Sequence, residues 1–179
     1  ALVATVEEGL ALLDAGREDE AIDVLLEPVT QQDTNGEISQ ALGSDEAAAD
    51  VIVRFAEAMD STGRLDEWRL TPLFPTRFAD ARESARMFRL LANLELKSGR
   101  VETAAKHIRT AIQREGSDVD DATVLVLTAI LLRSDPSSAA GKHVRKVLTE
   151  AASKTNHAAL LVLRAHLHHL ERPKTSAGS

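Results

Sequence analysis

The chain has 179 residues, with 44% hydrophobic and 27% charged residues, a formal net charge of -7 and a pI near 5.4. That length suits one domain or a short repeat array; no apolar run is long enough to cross a bilayer, and the acidic balance offers no footprint for a phosphate backbone, so neither membrane insertion nor nucleic acid is expected. Cysteine is absent, which excludes disulfides, thiol catalysis and thiolate metal sites and leaves the compartment open between cytoplasm and periplasm or beyond.

From the first residue onward the pattern is amphipathic helix rich in Ala, Leu, Glu and Arg, without the alternating β-branched or aromatic runs of strands. The fold class is all-α. The chain opens on Ala1 rather than Met, and Ala1 to Leu13 lacks the basic n-region of a signal peptide, so a trimmed or processed chain is expected. Breaks fall near Ala15-Gly16, Asp33 to Gly36, Gly43-Ser44, Ser61 to Gly63, Thr71 to Thr76, Ser98-Gly99, Gly116-Ser117, Ser134 to Pro136 and Lys154 to Asn156. Helices of ordinary length fit between them, about eight or nine in all. Asp135-Pro136 offers an N-cap with proline at the first helical position, and Asn156 a cap for a helix through Leu170. Pro173 ends that helix, and residues 174–179 read as a polar tail or linker. Acidic pairs such as Glu7-Glu8 and Asp120-Asp121 read as first-turn residues that favour the positive helix end.

Three places share one pattern: Gly16-Arg-Glu-Asp-Glu-Ala21-Ile22, Gly63-Arg-Leu-Asp-Glu-Trp68 and Gly99-Arg-Val-Glu-Thr-Ala104-Ala105. Each follows an apolar helix and opens another. Glycine allows the positive φ that ends the first helix, and a small residue five positions later lets the second pack closely. With these residues the chain resembles the tetratricopeptide repeat family, whose unit is a helix-turn-helix of about 34 residues. Gly9, Leu12, Ala21 and Leu25 fall on its packing positions, as do Phe88, Leu91, Ala92, Ala104, Ile108 and Ala111; Pro28 and Glu95 depart from them. A weaker unit runs from Val124 to Leu132 and from Ala139 or Ala140 through Val147, with Asn156 to Leu170 as an extra helix covering the exposed end. The resemblance implies a short right-handed α-solenoid of stacked hairpins, one domain over residues 1–172, offering a concave groove to a peptide or partner domain.

The repeat spacing isolates one anomaly. Gly63 and Gly99 are 36 residues apart, whereas Gly16 and Gly63 are 47 apart. An irregular insert over about residues 30–44 accounts for the excess. The stretch EWRLTPLFPTRFADAR (Glu67 to Arg82) then fills the slot of a second helix, with Trp68 at the small-residue position and Pro72 and Pro75 breaking the helix over about residues 69–77. A helix is expected to resume near Phe78 and run to Leu96. Trp68, Phe74 and Phe78 either fill the space the broken helix leaves or anchor a partner.

A second constellation is Arg86, Arg89, Asn93 and Lys97, spaced along one helical face. The resemblance places Arg89 and Asn93 where some family members hold a peptide's terminal carboxylate, and a guanidinium beside an amide suits that group; corresponding positions elsewhere carry Thr123 and Leu127, or Val6 and Leu10, so the clamp is incomplete. A solvated charged face is the alternative. His166 and His169, with His168 between them and His157 further back, are one turn apart, which permits metal bridging, but no HExxH motif or nearby acidic partner completes a site, so surface histidines are expected. No nucleophile elbow, phosphate loop or dinucleotide fingerprint occurs. The expected function is therefore non-catalytic, without cofactor: a protein-interaction or scaffold module, for which a homo-oligomer is one form. The alternative is an all-α accessory domain of a larger enzyme or regulator that packs against its own chain.

Overall fold

The computed structural model describes residues 1–31, 36–65, 74 and 76–171. Among them are nine α-helices and no strand, so the fold is all-α: α1 (Leu2–Asp14), α2 (Glu18–Thr30), α3 (Glu37–Leu42), α4 (Asp45–Ser61), α5 (Ser84–Lys97), α6 (Val101–Glu115), α7 (Asp121–Arg133), α8 (Ala139–Lys154) and α9 (Ala158–Glu171). The chain divides into two compact units, Ala1–Leu91 and Ala92–Ser179.

The three glycine-arginine sites end their helices in the same way. Gly16, Gly63 and Gly99 have φ of 70°, 72° and 75°. At each, the arginine amide reaches back five residues (Arg17 N to Leu12 O 2.9 Å, Arg64 N to Met59 O 2.9 Å, Arg100 N to Glu95 O 2.9 Å) and the glycine amide reaches back three. This double bond pattern occupies carbonyls that the helix end would otherwise leave open.

In the first unit, α1 and α2 form the first hairpin, and α4 packs against α1, α2 and α3. Ala21, five residues after the turn, is fully buried, as are Leu25 and Val6. Gly9 makes the close approach possible: a Cβ there would lie 2.4 Å from Leu25 Cγ and Cδ2. Ser44 caps α4 by accepting from Ala47 N at 3.1 Å, and the helix buries Phe55 and Met59. Part of the stretch expected to be irregular is helical, because α3 lies between two positive-φ glycines, Gly36 and Gly43, and buries Ile38.

The expected helix from Phe78 begins later. Thr76–Phe78 forms a 3-10 turn, and tight bonds continue from Ala79 N to Thr76 O, Ala81 N to Phe78 O and Ser84 N to Ala81 O, each 3.0 Å. Only at Ser84 does α5 start; the Ser84 hydroxyl, fully buried, donates to Ala79 O at 3.0 Å. Trp68, Pro72 and Pro75 lie outside the described residues.

In the second unit, α6 packs on α7 and α8, and α8 on α7 and α9. Ala104, Ala105, Ile108, Leu127, Ile130, Val144, Leu148 and Leu160 are fully buried, each large aliphatic among them stabilising by about 1.5–3 kcal/mol relative to exposure. Asp120 caps α7 through its bond from Ala122 N, as its place in a first turn predicts, whereas Glu7 and Glu8 fall past the first turn of α1. The start of α8 differs from the expectation at Asp135-Pro136. Asp135 instead accepts from Ser137 N and Oγ, and Ser138 is the cap, accepting from Gly141 N at 3.0 Å. Gly141 is required because a Cβ there would lie 1.9 Å from Asp135 O. The final helix begins at Ala158, two residues past Asn156, and His157 Nε2 lies 2.7 Å from Asp121 Oδ1.

Two consequences follow for stability. Gly9→Ala should cost about 1–3 kcal/mol in urea unfolding through overpacking against Leu25, and Gly141→Ala at least as much, because the obstacle there is backbone; equal midpoints for wild type and both variants would contradict the close approach. Burial holds the His107 imidazole below the usual histidine pKa, opposed in part by the Glu95 carboxylate. The unfolded chain therefore takes up this proton first as pH falls, so stability is lost below about pH 6.5, the unfolded value. Denaturant titrations at pH 8 and pH 5.5 should show a smaller loss for His107→Gln than for wild type, and identical losses would assign the slope elsewhere. Glu95, held low by its hydrogen bond from Arg100, acts in a separate window below the usual carboxylate range.

Candidate partner-binding surface

The charged face of α5 is largely committed within the protein. Arg86 donates from Nε to Glu57 Oε1 at 3.1 Å and from Nη1 to Asp50 Oδ1 at 2.9 Å, and its Nη2 pairs with Glu57 Oε2. Burial opposes the guanidinium charge, but the hydrogen bond and charge of Glu57, with those of Asp50, more than offset it and raise the Arg86 pKa. A guanidinium bridging two carboxylates of α4 is not open to a partner's carboxylate, which corrects its expected role. Arg89 and Asn93 are half-buried and Lys97 exposed, and Arg89 and Lys97 have interactions of their own within the chain. Arg86 and Arg89 belong to the first unit, Asn93 and Lys97 to the second.

The aromatic cluster resolves in part. Phe78 is fully buried. Its ring lies 6.0 Å from that of Phe74, which stands edge-on to Phe88 at 6.3 Å. Arg77 covers the Phe78 ring at 4.4 Å and donates to Ser39 Oγ at 3.2 Å. Phe78 thus fills core and is removed from the partner surface, because a ring without solvent access has nothing to offer a ligand; Phe74 is half-buried. Of the histidines, His166, His168 and His169 are exposed on α9. Among the described residues no three His, Cys, Asp or Glu side chains are grouped to hold a metal.

The surface that the residue pattern did not single out lies in the second unit. A groove of about 360 Å3 runs between α7 and α9, lined by Thr128, Leu131 and Leu132 on one side and Leu163, Leu167 and Leu170 on the other. Leu132 is 80% exposed and Leu170 64%, and Leu125 (71%) and Val162 (67%) are further exposed apolar side chains on the same two helices. The exposed side of α9 mixes these apolar residues with Arg164, His166, His168 and His169. The signal was present in the composition: Val124 to Leu132 and Ala158 to Leu163 carry apolar residues around more of the helix than one core-facing stripe needs. A smaller cavity, about 300 Å3, lies between α6 and α8; Arg109, paired with Glu150 at 3.1 Å, lines it with the buried Thr155.

Comparison with known protein families, characterised proteins and solved structures finds no match.

The Arg86 bridge carries a testable weight. Its three side chains are each about a third exposed, so Arg86→Met should cost about 1–2 kcal/mol, between the values of surface and buried pairs. Arg86→Lys should recover less than half, since an ammonium cannot hold both carboxylates as a fork does. Urea midpoints measure this, and an unchanged midpoint in Arg86→Met would show that the bridge adds nothing.

Proposed function

We propose that this chain is a non-catalytic protein-interaction module built of tetratricopeptide-like helical hairpins, and that its partner is a protein or peptide. The observation that carries this reading is the concentration of large exposed apolar side chains on α7 and α9: Leu125, Leu132, Leu161, Val162 and Leu170. Large apolar side chains left in water cost solubility unless another surface covers them, and exposed apolar surface of this kind marks interaction sites. The recurring glycine-arginine turn supports the repeat assignment, because one local device recurs at three helix ends. The same leucines also suit an all-α accessory domain that covers them with another part of its own gene product. A separately added partner distinguishes the two.

The test compares wild type with the Leu132→Glu/Val162→Glu variant, each immobilised and exposed to extract from the source organism. The wild type should retain a small, saturable set of proteins, and the variant should lose them by about fivefold or more, as when an interface anchor is removed. Both positions are largely exposed, so the variant should keep its helical circular dichroism. Equal retention by two folded proteins would overturn the assignment of this surface.

A further inference from the structure

We infer that the α7–α9 groove docks an amphipathic α-helix whose apolar edge is flanked by Asp and Glu side chains. This rests on the protein-interaction reading above and specifies its partner. The wall on α9 is a single stripe: Leu163, His166, Leu167 and Leu170 follow one another at intervals of three, one and three residues, which places them on one face over about 10 Å of helix. An entering helix with leucines at the same spacing matches that length.

The walls also decide the backbone conformation of the occupant. The two long walls are helices, whose mid-segment amides and carbonyls bond within their own ladder; Ser134 and Pro136 of the α7–α8 connection and Arg145 of α8 complete the lining. The polar side chains of the α7 wall are likewise occupied: Thr128 Oγ1 donates to Val124 O at 2.8 Å and Ser134 Oγ to Leu131 O at 2.8 Å. An extended peptide buried here would leave its amides without partners, a cost of about 1–3 kcal/mol for each. A helix brings its backbone bonds with it.

Charge decides the flanks. Arg145, which has an interaction of its own within the chain, and His166 line the groove, and Arg164, His168 and His169 follow on α9, whose one carboxylate is Glu171 at its last position. The acidic neighbours in sequence to the lining are Glu171, beside Leu170, and Asp135, which is held by Ser137. The division between the units has the same sense. Residues 1–91 contain 8 Lys and Arg against 19 Asp and Glu, a net charge of -11, and residues 92–179 contain 13 against 9, a net charge of +4. An overall acidic chain therefore concentrates its basic surplus in the unit that carries the exposed apolar groove, and complementary charge selects partners and speeds encounter.

The experiment uses the full chain and two fluorescein-labelled peptides of about 16 residues, long enough to form a helix on binding. They share one leucine edge and differ only in Glu or Lys flanks. Fluorescence anisotropy at about 50 mM salt should show the Glu peptide binding about tenfold or more tighter than its Lys twin, the gap closing as salt approaches about 0.5 M. Leu132→Glu and Leu170→Glu, checked for unchanged circular dichroism, should abolish binding of both. If the twins bind equally, the acidic partner falls and the interaction reading stands. If neither binds but the chain forms a dimer that Leu132→Glu disrupts, the occupant is a second copy and the inference is overturned. If neither binds and no dimer forms, the inference also falls, and retention of partners from extract then decides the broader reading separately.

Discussion

A left-handed backbone at three glycines ends three helices of this chain in the same way, and at the first of them it joins two helices into a packed hairpin. Once Gly16, Gly63 and Gly99 take a positive φ, the helix before each one stops and its last carbonyls are bonded. At Gly16 the short turn brings α1 and α2 together, and that contact favours a small residue at Ala21, which has no solvent exposure; Ala104, five positions past Gly99, is likewise fully buried. Gly9 is the complementary concession on the facing helix, since only a missing side chain admits Leu25. The sequence repeat is therefore a repeat of one solved local problem.

This is why the all-α class, the number of helices among the described residues and the glycine ends of three of them were legible from residues alone. Glycine conformation, capping and the 3.6-residue period are local, and they act the same way wherever the segment ends up. The misplacements have equally local causes. Asp135 looked like a cap, but its carboxylate finds nearer donors in Ser137, and the duty passes to Ser138. Phe78 looked like the resumption of a helix, but a run of tighter bonds absorbs the residues to Ser84, where a buried hydroxyl already has its acceptor.

Functional residues were harder to read, for a reason that lies in the physics of charge. Arg86, Arg89, Asn93 and Lys97 form a correct helical face, yet a face says nothing about what stands opposite. Asp50 and Glu57 lie 36 and 29 residues away in sequence and meet Arg86 through α4. A guanidinium near carboxylates is drawn to them before any ligand arrives, so an arginine stripe in a chain with 28 acidic residues is a poor indicator of free binding capacity. The aromatic cluster shows the same competition in apolar form. Phe78 is taken by the core, because a chain with five aromatic residues has few side chains large enough to fill the gap beside a broken helix.

What remains exposed after these internal demands are met is more informative than what looked reactive beforehand. Leu132 and Leu170 are common residues in common helices, and nothing in their spacing distinguishes them from Leu127 or Leu160, which are buried. They differ in facing an open groove rather than the core, and that is a property of where α7, α8 and α9 pack. Burying them in the fold would require a further element across the α7–α9 groove. Among the described residues none lies there, so the same hydrophobic force that holds α8 against α9 remains available to an outside surface. The basic residues beside the groove do not supply that force; they select which apolar helix can use it.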